Sequence, residues 1–241
     1  MKILSIDTTV VAGSIALSDG ERLVASEQQA VPGTHSERLI GSVDRMLELA
    51  GWRKGDPEAI AVAIGPGSFT GLRIGLAAAK GMALSLGIPI VGVSSLKSLA
   101  LNGAGFAGAV VPLIDAKRGE LFAQPWEVES GGTMRPLSKE CAASPESVIA
   151  GLGKIKGQLL LVGDGALAYS EVLKRGLGAR AHVARGAQAL AQAANLAMLA
   201  LPRLARGRSD DLASLAPNYV RRSDAEIGFN AMHRPRSGRK A

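Results

Sequence analysis

The chain repeats its own outline. Near the start, Ile3, Leu4 and Ile6 form a short apolar run that ends on Asp7. A turn and a second run, Gly13–Ser18, follow. In the second half, Ala109–Asp115 is again an apolar run closed by aspartate. Lys117-Arg118-Gly119 then makes a turn, and Glu120–Val128 reads as one strand. Repetition at this scale does not describe a solenoid, whose units recur every 20–50 residues or so. It describes an αβ lobe used twice.

Within the first copy, Arg22–Gln28 adds a third alternating run after Asp19-Gly20, a hairpin signal. His35–Ala50 changes period, with Leu39, Val43, Met46, Leu47 and Ala50 on one helical face. Thr34 and Glu37 have the spacing of a capping box. Ala59–Ile64 is continuously apolar, as a buried strand is. A glycine-rich loop, a helix to about Leu86 and the run Ile88–Val93 complete a βαβ unit. Ser94 to about Leu101 reads as a further helix. Asn102-Gly-Ala-Gly-Phe-Ala-Gly108 is the best domain break. After it, the pattern gives a short helix behind Ser144-Pro145, a strand at Leu159–Val162, and helices at Tyr169–Gly176 and about Ala187–Arg206. The expected organisation is a first lobe over 1–103, a second over 104–222, and a basic, disordered tail over 223–241.

Composition narrows the functions. Of 241 residues, 47% are hydrophobic and 20% charged, which is globular. Aromatic residues are only 3%, which argues against a base-stacking platform for single strands. The net charge is +7, but residues 221–241 hold six basic and two acidic side chains, and residues 1–220 hold 22 and 19. The body is therefore nearly balanced. One cysteine, Cys141, cannot form an internal disulfide, and Asp7 interrupts the N-terminal run too early for a signal peptide. No run is long enough to span a membrane. The cytoplasm is the default compartment.

Four motifs carry candidate chemistry, each with a plainer reading beside it. Asp7-Thr8-Thr9 and Asp115 end the first strand of each lobe. There they either hold phosphates and magnesium-bound water or simply cap turns. Gly65-Pro-Gly-Ser-Phe-Thr-Gly71 opens a helix whose free N–H groups suit an anion, or whose Ser68 or Thr70 caps it. No Gly-Lys-Ser/Thr closes that loop, so it is not a Walker motif. Along the helix, Gly71, Gly75, Ala78 and Ala79 lie three or four apart. They allow close packing, either on the chain's own sheet or on another subunit. Gly163-Asp164-Gly165 follows a buried strand and either faces an adenosine or makes an ordinary turn. The histidines, His35, His182 and His233, show no paired metal spacing, and no Gly-x-Ser-x-Gly elbow occurs.

Taken in order, Ile6-Asp7-Thr8-Thr9, His35-Ser36-Glu37-Arg38-Leu39, Gly65 to Gly75, Gly92-Val-Ser-Ser-Leu96, Ile114 to Glu120, Val162 to Gly165 and Pro217-Asn-Tyr-Val-Arg221 resemble the TsaB (YeaZ) family. The likeness covers about residues 1–222, and the Gly65–Gly75 segment is its most specific part. It implies an α/β, two-lobe actin-like ATPase fold of the sugar-kinase and Hsp70 class. It also implies a dimerisation subunit in making N6-threonylcarbamoyladenosine on tRNA. In that family the catalytic paralogue TsaD transfers the threonylcarbamoyl group to adenosine 37, the ATPase TsaE joins, and TsaB also forms homodimers. The tRNA is met through the complex. The contact is a bundle of first-lobe helices, which here maps onto His35, Leu39, Val43, Met46, Gly71, Arg73, Gly75, Ala78, Ala79 and Met82.

The departures point away from catalysis. The catalytic relative holds a metal with two histidines four residues apart, where this chain has Ser95 and Leu99. Thr8-Thr9 replaces the glycine usual after the first aspartate, and Asp164 sets a negative charge where a nucleotide would approach. The expectation is a subunit with no metal, no cofactor and no catalytic residue of its own. Its Asp7, Thr8, Thr9, Asp115, Gly163, Asp164 and Gly165 would be a vestigial nucleotide site. The alternatives are a stand-alone ATP-dependent phosphotransferase and, more weakly, a metallopeptidase.

Overall fold

In a computed structural model of the chain, residues 1–29 and 35–221 are described. The Thr34–Glu37 capping box and the basic tail lie outside the described residues and side chains, as does the side chain of His35.

The first sheet has strands β1 (Lys2–Asp7), β2 (Gly13–Asp19), β3 (Arg22–Gln29), β4 (Ala59–Gly65) and β5 (Ile90–Ser94). Their order is β3-β2-β1-β4-β5, with β1–β3 an antiparallel meander and β1, β4 and β5 parallel. The strands alternate as a sheet with two covered faces must. Leu4, Ile6, Ile15, Leu17, Ile60 and Val62 face helices α1 (His35–Leu49) and α2 (Phe69–Leu86). On the other face, Ile3, Ala16, Ala59, Ala61, Ala63, Val91 and Val93 meet a later helix.

The second sheet repeats this plan. Its strands are β6 (Gly108–Lys117), β7 (Glu120–Ala123), β8 (Trp126–Val128), β9 (Met134–Pro136), β10 (Cys141–Ala143), β11 (Gln158–Val162) and β12 (Ala181–Val183). The path β10-β7-β6-β11-β12 has the same antiparallel and parallel relations as the first sheet. The duplicated two-lobe actin-like fold read from the sequence is the fold found. Helices α4 (Pro145–Leu152), α5 (Asp164–Ala168) and α6 (Ser170–Leu177) cover one face, and α3 (Ser95–Ala100) covers the other.

Two helices change sides. α3 follows β5 of the first sheet, yet its Leu96, Leu99 and Ala100 pack with Val110, Ile114, Phe122 and Leu160 of the second. α7 (Ala193–Leu204) follows the second sheet, yet Leu196, Ala197, Ala200 and Leu204 cover the first. Asn195 ties the exchanged pieces together, its side-chain N–H groups donating to Ser98 O at 2.9 Å and Asn102 Oδ1 at 2.7 Å.

The sequence reading fails at three places. Glu120–Val128 is two strands, because Pro125 has no N–H to give a ladder. The chain instead moves from the Leu113–Lys117 half of β6 to the Ala109–Val110 half. The helix expected from Ala187 starts only at Ala193, behind a single 3₁₀ turn at Gly186–Ala189. The short strands β9, β10 and β12 have no strong alternation to announce them. Among the described residues, no helix is long and apolar enough to cross a membrane.

Candidate functional site: a phosphate turn locked by its own loop

The turn after β1 carries Asp7, Thr8 and Thr9, which the sequence resemblance expects to be part of a vestigial nucleotide site. Asp7 sits at the strand end and is only 1% exposed. Its Oδ1 accepts from the Thr9 backbone N–H at 2.9 Å and from Thr9 Oγ1 at 2.6 Å. Its Oδ2 has no hydrogen-bond partner among the described residues. Burial pushes this carboxyl up from the ordinary aspartate range, and the two Thr9 bonds only partly offset it. Thr8 Oγ1 donates to the Gly71 carbonyl at 2.7 Å, and the Ser68 N–H donates to Thr9 O at 2.7 Å. Both threonine side chains are thus spent on internal bonds.

The glycine-rich loop explains itself at this contact. Ser68 caps α2 by accepting from Gly71 N–H. A Cβ at Gly67 would fall 2.5 Å from Thr9 O, and Cβ atoms at Gly71 and Gly75 would overlap Thr8 O and Thr8 Oγ1. The absent side chains let the first turns of α2 lie directly on the Thr8-Thr9 turn. Gly71, Gly75 and Ala79 therefore face this chain's own interior. So do Leu39, Val43 and Met46 of α1, buried against the first sheet. Of the residues assigned by resemblance to a subunit contact, Arg73 is exposed, and Ala78 and Met82 are half-buried. The outward stripe of α2 continues through Ala77, Gly81 and Leu84, and Leu84 is 71% exposed.

In the second lobe, Asp115 Oδ1 accepts from Lys117 N–H at 2.8 Å, and Oδ2 pairs with Lys117 Nζ at 2.7 Å. That carboxylate holds the lysine ammonium above its usual range. Asp164 Oδ1 accepts from the N–H groups of Asp115 at 3.1 Å and Gly165 at 2.8 Å. Burial nevertheless pushes the Asp164 carboxyl up. Gly163, at φ 112°, ends β11 as Gly65, at the same φ, ends β4. Asp164 thus braces the turn from within, and the Asp115 charge is met by the chain's own lysine. Asp7, Thr8 and Thr9 form one cluster and Asp115, Gly163, Asp164 and Gly165 another, one in each lobe.

Ser95 and Leu99 are buried in α3, with Leu99 in the second-lobe core. Among the described residues, no group of three or more His, Cys, Asp or Glu side chains stands together.

One feature carries no obvious sequence signal beyond Pro217-Asn-Tyr. The segment after α7 returns across both lobes. Asp210 accepts from the Gly92 N–H at 2.7 Å and pairs with Arg203 at 2.7 Å. Lys80 Nζ donates to the carbonyls of Ala213 and Leu215. Asn218 N–H donates to Ile64 O at 2.7 Å, while its side chain reaches Glu140 in the second lobe at 2.8 Å. Tyr219 stacks on Phe69 with ring centres 5.1 Å apart, and Arg73 lies 3.7 Å over the Phe69 ring and donates to the Tyr219 hydroxyl.

A family model described as TsaD, tRNA N6-adenosine threonylcarbamoyltransferase, matches residues 29–229. The Bacillus subtilis tRNA threonylcarbamoyladenosine biosynthesis protein TsaB is 32% identical over 230 residues, covering 94% of this chain and 96% of that protein. The Escherichia coli protein of the same name is 33% identical over 230 residues, covering 93% and 96%. A crystal structure from Pseudomonas aeruginosa, of a protein described as similar to peptidase YeaZ, superposes with a TM-score of 0.75 at 28% identity, covering 91% of this chain and 99% of that one. At 32% and 33% identity over more than nine-tenths of both chains, the chain belongs to the TsaB (YeaZ) family.

Proposed function

We propose that this chain is the non-catalytic, partner-binding subunit in the synthesis of N6-threonylcarbamoyladenosine on tRNA, and that it docks on and activates the transferase TsaD. The names of its relatives support the pathway. The observation that carries the non-catalytic reading is the locked phosphate turn. Thr8 and Thr9 are bonded inward and Asp7 is only 1% exposed, so none of these three side chains is presented at the surface to a phosphate or its magnesium. Buried Ser95 and Leu99 add that α3 presents no metal-binding side chain at those positions.

The docking face proposed is the outer surface of α1 and α2. Ile40, Leu49 and Leu84 are large, apolar and exposed there, with Ala77, Ala78 and Met82 beside them on α2. Exposed apolar side chains on two neighbouring helices suit a helical-bundle contact, with a second copy of this chain or with TsaD. TsaE joins that assembly in this reading.

The test is an omission assay. TsaD, TsaE, ATP, threonylcarbamoyl-adenylate and unmodified tRNA are incubated with and without this chain, and modified adenosine is counted. Modification that needs the chain, with none made by the chain alone, supports the reading. Equal modification without the chain overturns it. In a calorimetric titration with TsaD, Leu84→Glu should weaken binding while the chain stays folded; unchanged affinity would move the interface elsewhere.

A further inference from the structure

The positive charge of the folded body is concentrated in one stretch. Residues 1–150 carry thirteen Lys or Arg against fifteen Asp or Glu, whereas residues 151–208 carry nine against two. The fold gathers five of those nine at one end of the second lobe. β11 and β12 run parallel, with Leu159 beside Ala181, so the segments leading into both strands lie at the same edge. Lys154 and Lys156 precede β11; Lys174 and Arg175 occupy the last turn of α6, and Arg180 precedes β12.

Arg180 fastens these pieces. Its guanidinium donates to the carbonyls of Ile155 and Gly157, the latter at 2.8 Å, so the lysine loop is held against the end of α6. Lys154, Lys156, Lys174 and Arg175 are exposed and form no ion pair among the described residues. Of the two acidic residues of the stretch, Asp164 lies beyond the far end of β11, while Glu171 precedes Lys174 and Arg175 by three and four residues on α6 and is the one acid beside them. Between the cations, Gly157 and Gly178 have open space where a side chain would be, so a ligand backbone can come close. At the rim, the exposed pair Gln158 and His182, bonded at 2.9 Å, offers polar edges.

We infer that this end of the second lobe is an RNA-binding surface that holds the phosphodiester backbone of the tRNA. Four exposed cations around a fixed arginine, against the single acid Glu171 beside them, suit a run of phosphates and carry no base readout. The inference rests on the proposed role in tRNA modification, but it assigns RNA contact to this chain itself, through a body surface rather than through its partner or its tail.

The test is tRNA binding by the full chain assembled with TsaD, followed by fluorescence anisotropy from low to moderate salt. Each cation that meets a phosphate contributes about one unit to the log–log salt slope, so Lys154→Ala/Lys156→Ala/Lys174→Ala/Arg175→Ala should flatten it by up to about 4 units. Affinity should fall roughly tenfold or more at ~0.1 M salt. A control removing three first-lobe charges outside α1 and α2, Arg22→Ala/Arg53→Ala/Lys54→Ala, should leave both values near wild type. An unchanged slope in the patch variant, or an equal loss in the control, overturns the inference. A patch variant that keeps tRNA affinity while omission of the chain still abolishes modification sinks this surface and leaves the proposed function standing. A chain that binds RNA through the patch but is dispensable for modification does the reverse.

Discussion

The Thr8 hydroxyl donates to the carbonyl oxygen of Gly71 at 2.7 Å, bonding the turn after β1 to the start of the helix that follows β4. That bond exists because Gly71 and Gly75 have no side chain to keep the two segments apart. The loop most specific to the sequence is thus explained by packing inside the chain.

Gly71→Ala should be severely destabilising, because its Cβ would overlap the Thr8 carbonyl and neither backbone can give way. A loss of about 3 kcal/mol or more is expected, as for overpacking in a rigid site. Gly81→Ala, on the same helix but with open space around it, should instead gain about 0.5–1 kcal/mol from helix propensity. Urea melts of the two variants check both signs.

Asp210 should make stability depend on acid. Burial pushes its carboxyl up, but the Arg203 guanidinium and the Gly92 N–H outweigh this and hold it below the ordinary range. A depressed carboxyl contributes stability that is present above the unfolded pKa, about 3.9, and is lost as pH falls through the lower folded value. Asp210→Asn should therefore cost about 1 kcal/mol at neutral pH, and the gap to wild type should close in strong acid. Melting temperatures of both proteins across that range decide it.

Isolated chain titrated with Mg-ATP should give no binding heat at millimolar nucleotide. Asp7 is sealed, both neighbouring threonines are bonded inward, and Asp115 already has Lys117. Saturable binding by calorimetry would reopen the phosphotransferase reading.

Asn218→Ala should loosen the returning segment from the second lobe, since it removes the bond to Glu140 while leaving the main-chain bond to Ile64. Proteolysis near residues 210–221 should accelerate several-fold, with a loss of global stability of about 1 kcal/mol. An unchanged cleavage rate would show that Tyr219, on Phe69, and Arg221, paired with Glu120 at 2.8 Å, hold the segment without it.

Much of the fold was legible because its strands advertise themselves. Ile3 to Asp7 and Val110 to Asp115 are buried strands whose apolar runs admit few other readings, and Gly87 stops α2 in the left-handed conformation glycine favours. The site was legible as a set of positions and not as a state. Spacing places Thr8 and Thr9 after Asp7, but only the close approach of α2 determines that their hydroxyls turn inward. Periodicity likewise put Leu39, Val43 and Gly75 on one helix face each, and cannot say whether that face meets the chain's own sheet or another molecule. Asp210 and Asn218 act across more than seventy residues of chain, which no local pattern records.

The exchange of α3 and α7 has a consequence for how the protein is made. Synthesis delivers β1 to β5 first, but the face built from Ile3, Ala61, Ala63, Val91 and Val93 waits for Leu196, Ala197, Ala200 and Leu204. At ordinary translation speeds that interval is on the order of ten seconds. For that time the nascent chain displays a bare sheet of small aliphatic side chains. The early half of the molecule therefore cannot complete its own second face, and a chain ending before α7 would leave that face of the sheet uncovered.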